Sequence, residues 1–356
     1  MIVALDAMGG DHAPQVPVQG ALEALDEFGS DLRLVLVGPD TEIRRELTAC
    51  GRDREPRIEI VRATDVITMQ DKPAKAIREK PDSSLMKAIR LHKDGRAQAV
   101  VSAGHTGAQM AASYLILGLI EGVRRPTIGG LIPIGNGRYS ILVDVGANTD
   151  CKPINLLQFG IMGAVFIELF AGVKNPRVGL LSIGEEKTKG NELVVASHYL
   201  LEQSGLNFLG NVEGGDIFKG KADVIVCDGF VGNIMLKFAE SLGPMIFGRL
   251  YGPNGSRTEI PERLQQLQRE FDAAEIGGVP LLGVNGISII CHGNSRAKAI
   301  KNAIREAMTL ARGNLPQALS AGVEKYKAGV IARSMALFKS MHEKRDELDV
   351  EDEEKD

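Results

Sequence analysis

The chain has 356 residues, 44% of them apolar and 25% charged, which suits one large domain or two lobes around a sizeable core. Trp is absent and aromatics make up 4%, so that core is aliphatic. The formal charge of −4 argues against a general nucleic-acid binder. It is also unevenly spread: Glu343–Asp356 holds nine acids and three bases, and this run reads as a solvated, disordered tail after a folded body over 1–342.

The N-terminal MIVALDAMGG starts a strand at once and lacks a basic leader region, so it does not read as a signal peptide. Candidate strands follow in chain order at Ile2–Leu5, Leu32–Val37, Ile58–Val61, Ala97–Val101, Ile128–Ile132, Ser140–Val143, Val178–Ser182, Val224–Cys227 and Ile287–Ile290. Several are short unbroken runs of Val, Ile and Leu, the pattern of strands covered on both faces. Helices are predicted between them at Gln15–Phe28, Thr41–Ala49, Ser83–His92, Asn155–Phe170, Glu192–Glu202 and Arg296–Ala311. This alternation predicts an α/β fold, a mostly parallel sheet flanked by helices. Leu156–Val173 is apolar enough to suggest a membrane span, but it contains Gln158 and Glu168 and reads as a core helix.

One region interrupts the alternation. Two helices in succession, over about 234–272, predict an inserted helical hairpin turning at Pro253, Asn254 and Gly255. Its first helix is mostly apolar, with Lys237, Glu240 and Ser241 on one side. Its second carries a stripe of Ile260, Leu264, Leu267 and Phe271. The hairpin suits packing in a core or dimer bundle. A sharper reading gives it a membrane-touching tip at Met245, Ile246, Phe247, Leu250 and Tyr251.

Cys50, Cys151, Cys227 and Cys291 are far apart and form no CxxC pair, so neither a zinc site nor a disulfide framework is indicated and a cytoplasmic location fits. In parallel sheets ligands sit beyond the carboxyl ends of the strands. Six predicted strands end in glycine and polar residues: Asp6–His12, Ser102–Gly107, Asp144–Lys152, Ser182–Asn191, Asp228–Asn233 and Cys291–Ser295. One such loop would only mark a turn. Six at equivalent places point to one polar cleft, and SAGHTGA, opening an apolar helix, is the best anion cradle. There is no Walker A lysine, no dinucleotide fingerprint and no GxSxG elbow. Asp6, Asp11, Asp144, Asp150 and Asp228 make no recognised metal spacing.

VALDAMGGDHAP, SAGHTGA, VDVGANTDCKPINLLQFGIMG, IGEEKTKGNEL, GNVEGGDI and CDGFVGN, in this order along nearly the whole chain, closely resemble the bacterial acyl-ACP:phosphate acyltransferases of phospholipid synthesis. The resemblance implies a two-lobed fold like that of the isocitrate and isopropylmalate dehydrogenases. It implies transfer of a fatty acyl group from acyl carrier protein to inorganic phosphate, with no cofactor and no metal. It assigns Lys189 and Asn233 to the reacting thioester, with Lys187 as the alternative lysine. Phosphate falls to Gly9, Gly10, His12, Gly104, His105, Thr106 and Gly107, while Asp144, Asn148 and Asp228 orient these groups from behind.

Three positions depart from the family pattern: His105 and Ser182 stand where Asn is expected, and Gly215 where Arg is expected, with Lys219 or Lys221 as substitutes. An acidic carrier would dock on Arg124, Arg125, Lys152, Lys219, Lys221 or Arg249. A homodimer through the hairpin is the first expectation for assembly. The rival readings are a decarboxylating dehydrogenase, a phosphate acetyltransferase using coenzyme A, and a non-enzymatic scaffold. The first lacks an acidic metal cluster and an adenine pocket, and a scaffold has no use for six polar strand ends.

Overall fold

A computed structural model of the chain describes residues 1–251, 262–270 and 272–326. Eleven strands form one sheet: β1 (Ile2–Asp6), β2 (Arg33–Gly38), β3 (Ile58–Arg62), β4 (Ala99–Ser102), β5 (Thr127–Pro133), β6 (Tyr139–Val143), β7 (Arg177–Leu181), β8 (Asn207–Val212), β9 (Val224–Val226), β10 (Val279–Leu282) and β11 (Ser288–Ile290). Their order across the sheet is β3-β2-β1-β4-β11-β10-β5-β6-β9-β7-β8. Seven pairings are parallel; β10–β11, β10–β5 and β5–β6 are antiparallel. The mostly parallel sheet is therefore as expected, with a reversal at its centre.

The strands β8 and β10 escape a sequence reading for physical reasons. β8 is a half-exposed edge strand kinked at Gly210, so it lacks the apolar run of a covered strand. β10 contains Pro280, which ordinarily marks a turn or an edge.

Helices cover both faces: α1 (Gln15–Phe28), α2 (Asp40–Ala49), α3 (Pro73–Glu79), α4 (Ser84–Lys93), α5 (Thr106–Leu117), α6 (Pro153–Ala171), α7 (Glu192–Gln203), α8 (Gly229–Tyr251), α9 (Glu262–Glu270), α10 (Ala273–Ile276) and α11 (Ala297–Arg312). The two-residue alternation of the strands divides the core. Val3 and Leu5 face the layer of α1, α6, α7 and α11. Ala4 faces the layer of α4, α5 and α8. The suspicious apolar stretch is α6, long and apolar enough to cross a membrane but buried from Leu156 to Phe166 apart from half-covered Val165. It is a core helix.

The helical region begins earlier than the predicted boundary at Ile234. Asp228 accepts from the backbone N–H groups of Phe230 and Val231, so α8 starts at Gly229. Asn233 thus lies inside the helix, after its first turn, and is not its cap. Phe247 is 8% exposed, in contrast to the membrane-touching role read for it, while Met245 and Ile246 are 48% and 45% exposed. The turn at Pro253–Gly255, the stripe residues Ile260 and Phe271, and the acidic tail lie outside the described residues.

Glu306 of α11 is buried, and both its carboxyl oxygens lack a hydrogen-bond partner among the described residues. Burial pushes its carboxyl well above the ordinary value. A raised folded-state value means stability that is full below the unfolded carboxyl value of about 4.3 and is lost as pH climbs through the folded one. The melting temperature of Glu306→Gln, relative to the unaltered protein, is therefore expected to rise with pH above about 4.3, read by thermal melts across a pH series. A constant difference would contradict it.

Candidate active site

Two buried aspartates end a strand in each half of the sheet, and each gathers the loops around it. Asp6, at the end of β1, accepts from the Ser102 hydroxyl at 2.7 Å and from the Met8 backbone at 3.1 Å. Ser102 in turn accepts from the Gly104 backbone at 3.0 Å. The third loop of this half joins where Asp11 donates its backbone N–H to the Gly293 carbonyl at 2.8 Å. Gly9 is required by close approach: a Cβ there would sit 2.8 Å from both Gly104 N and Ser102 Oγ. Burial raises the Asp6 carboxyl, and hydrogen bonds from Ser84, Ser102, Met8 and Gly9 pull against it.

The carboxylate of Asp144, just after β6, accepts five hydrogen bonds. Ile128 N, Gly146 N and Ala147 N reach Oδ1, while Asn148 N and Asn148 Nδ2 reach Oδ2 at 2.7 and 2.9 Å. Burial raises this carboxyl too, against the pull of Asn148 and the backbone donors. The start of α8 presses directly on this loop. A Cβ at Gly232 would fall 1.8 Å from the Asp144 carbonyl, so no larger residue fits. Asn233 follows and is exposed, beside Gly146.

The expected residues thus form two clusters. Gly9, Gly10, Gly104, His105, Thr106 and Gly107 gather around Asp6 and the start of α5, with His12 exposed on the adjoining loop. Asp144, Asn148, Asp228 and Asn233 gather around the start of α8. The three antiparallel pairings reverse the strand direction between the halves, so the six loops do not leave the sheet at equivalent places. The link is α8: Glu240 lies about 10 Å along the helix axis from Asn233, and its carboxylate meets His292 Nε2 at 2.8 Å.

Lys189 belongs to the loop after β7, the strand that pairs with β9 at a spacing of about 5 Å. Asn211 holds this loop through the Gly184 and Glu186 carbonyls. Ser182, a departure from the family pattern, closes it by donating its hydroxyl to the Lys189 carbonyl at 3.0 Å. Lys187 is paired with Glu202. The Lys189 ammonium is exposed and has no hydrogen-bond or ion-pair partner among the described residues. The two lysines therefore differ in what they can offer a substrate.

The other departures have structural consequences. His105 caps α5 with extended backbone, and its Nδ1 is buried without a hydrogen-bond partner among the described residues. Lys219 Nζ stands 3.9 Å from where a Cβ on Gly215 would be, but Lys219 and Lys221 are both paired with Asp216, and Lys221 also with Glu185. An anion at either lysine has to compete with these carboxylates. The basic candidates for carrier docking divide as well. Arg125 donates to the Asp150 carbonyl, near Arg124 and Lys152 in the chain, while Lys219 and Lys221 lie by the β7 loop.

Lys237 and Glu240 carry more than the sequence reading gave them. Their ammonium and carboxylate pair at 2.8 Å, and Lys237 Nζ also meets His292 Nδ1 at 3.4 Å. Burial works to raise the Glu240 carboxyl; the bonds from His292 and Lys237 outweigh it and leave it lowered. The available signal was the polar flank on an apolar helix, but its partner His292 lies 52 residues away in sequence. The strand-end thiols of Cys227 and Cys291 are raised by burial, and that of Cys151 is pushed up to about 11, as inert thiols should be.

Residues 1–318 match the family described as fatty acid synthesis protein. The chain is 50% identical over 339 residues to a phosphate acyltransferase from Heliobacterium modesticaldum, covering 93% of this chain and 99% of that one. The chain belongs to the phosphate acyltransferase family. A second relative of that name, from Desulforamulus reducens, is 48% identical over 331 residues, with 91% and 98% covered. Among solved structures, a phosphotransacetylase from Streptococcus pyogenes aligns with a TM-score of 0.60 at 16% identity, covering 88% of this chain and 94% of that one. A 4-hydroxythreonine-4-phosphate dehydrogenase from Klebsiella pneumoniae aligns at 0.51 and 13%, covering 87% and 97%. At such identities these two show the shared fold alone.

Asp144→Asn sets an amide N–H₂ among five donors. It is expected to lower stability by about 3 kcal/mol and family activity by at least roughly tenfold, measured by denaturant melts and steady-state rates. Loss of neither would show that the carboxylate does not organise the loop.

Proposed function

We propose that this phosphate acyltransferase moves a fatty acyl group from acyl carrier protein to inorganic phosphate, supplying acyl phosphate to phospholipid synthesis. The observation that carries the reading is 50% identity to a phosphate acyltransferase over 93% of the chain, supported by a Lys189 that has no partner among the described residues. A phosphate oxygen attacks the thioester carbonyl carbon. The C–O bond forms, the C–S bond breaks, and the sulfur leaves with the bonding pair and takes up the proton that phosphate releases. No protein nucleophile is needed. The protein's work is to hold two reactants together and to stabilise the oxyanion.

In this reading Gly9, Gly10, Gly104 and the N–H groups of Thr106 and Gly107 at the start of α5 favour the phosphate dianion. His12 and His105 flank it. Lys189 and Asn233, from adjacent strand ends, serve the developing oxyanion as cation and neutral donor. Asp144, Asn148 and Asp228 fix the loop and helix that carry Asn233.

The test is phosphate-dependent consumption of an acyl carrier thioester by the full chain, with hydroxylamine trapping the acyl phosphate. Lys189→Ala and Asn233→Ala should each reduce turnover by roughly a hundredfold or more. Trapped product at the unaltered rate in both variants would reject these two residues, and no trapped product from the unaltered enzyme would reject the reaction.

The same reading places the enzyme in the cytoplasm as a homodimer touching the inner membrane face. Phe230, Ile234 and Phe238 leave an apolar stripe on α8 that a second copy can cover. Met245 and Ile246 extend apolar surface farther along the helix. Leu250→Glu is expected to release the protein from anionic vesicles in a sedimentation assay without changing its melt; unchanged vesicle binding would exclude that tip.

A further inference from the structure

An apolar hollow of ≈570 Å³, counting its open mouth, lies between α8, the end of β5, and the α10–β10 segment. Leu131, Leu236, Ala239, Ile276 and Val279 are among its walls, and among the described residues the only polar side chains in its lining are Glu240 and His292. These two are hydrogen-bonded to each other, with Lys237 against both. Next to His292, the Gly293 carbonyl ties this end to the Asp6 cluster through Asp11. The hollow is therefore apolar along its length and polar where it meets the glycine loops.

We propose that this hollow holds the alkyl tail of the acyl donor, whose thioester end leaves it past His292 and Lys237 toward Asn233, one turn earlier on α8. The inference rests on the acyl-transfer reading above and locates the tail at the base of α8, away from the hairpin tip. The walls exclude a sugar or nucleotide, whose hydroxyls would be buried unpaired. They suit a chain of methylenes, which needs no partner and gains roughly fourfold in binding for each one buried. A second copy of the protein is a poorer occupant. The exposed stripe of Phe230, Ile234 and Phe238 is on a different face of α8 from Leu236 and Ala239, which are buried.

Narrowing the hollow tests this. Ala239→Leu and Ile276→Phe add bulk from opposite walls. Both variants are compared with the unaltered enzyme on palmitoyl and butyryl carrier thioesters, and by equilibrium binding of a pyrene-labelled fatty acid, with thermal melts to confirm folding. The kcat/KM for palmitoyl should fall at least tenfold more than for butyryl, and the labelled fatty acid should bind at least tenfold more weakly. Equal losses on both donors with unchanged probe binding, in whichever variants fold, would overturn the assignment. If the unaltered enzyme transfers no acyl group to phosphate, the acyl-transfer reading fails by itself; the fatty-acid binding arm still decides whether the hollow takes an alkyl chain.

Discussion

The architecture of the site depends on carboxylates buried at strand ends. Asp6 and Asp144 each stand where a strand gives way to a glycine-rich loop, and each spends its oxygens on groups those loops supply. The loops carry backbone donors that the sheet cannot satisfy and that no apolar core would accept. A buried carboxylate collects them at one point and so fixes the loop shapes without adding bulk. The glycines answer the same constraint from the other side. Where backbone must lie against backbone, as at Gly232 on the Asp144 carbonyl, even a methyl group has no room.

Much of this was legible in the residues. The covered strands announce themselves as runs of Val, Ile and Leu, and α1 falls where its pattern predicts. Asp6, Asp144 and Asp228 could be seen to end strands, and the glycines beside them to mark close approaches. What the pattern concealed was non-local. β10 is held in the sheet by neighbours on both sides although Pro280 speaks against a strand. The reversal at β5 and β10 leaves no mark on any single segment, so six loops that look equivalent in sequence divide into two clusters. Asn233 falls just outside the predicted hairpin but inside α8, because Asp228 caps the helix earlier.

The partner of a charged flank is equally invisible from one segment. Lys237 and Glu240 on an apolar helix read as a solvated edge, and only the fold brings His292 between them. The choice between Lys187 and Lys189 has the same character. Two residues apart in a polar loop, they are indistinguishable by type; the Glu202 carboxylate on the next helix engages one and leaves the other available.

Helix α8 carries a consequence of its own. It is a single 23-residue element, about 35 Å long, with Asn233 near its start, Leu236 and Ala239 against the apolar hollow, and Glu240 on His292. A rod that bears all of these cannot shift one without the others. In the acyl-transfer reading proposed above, contacts made with the unreactive tail along its middle are transmitted to the turn that carries Asn233. Such an arrangement lets affinity for the tail appear as turnover, not merely as tighter capture.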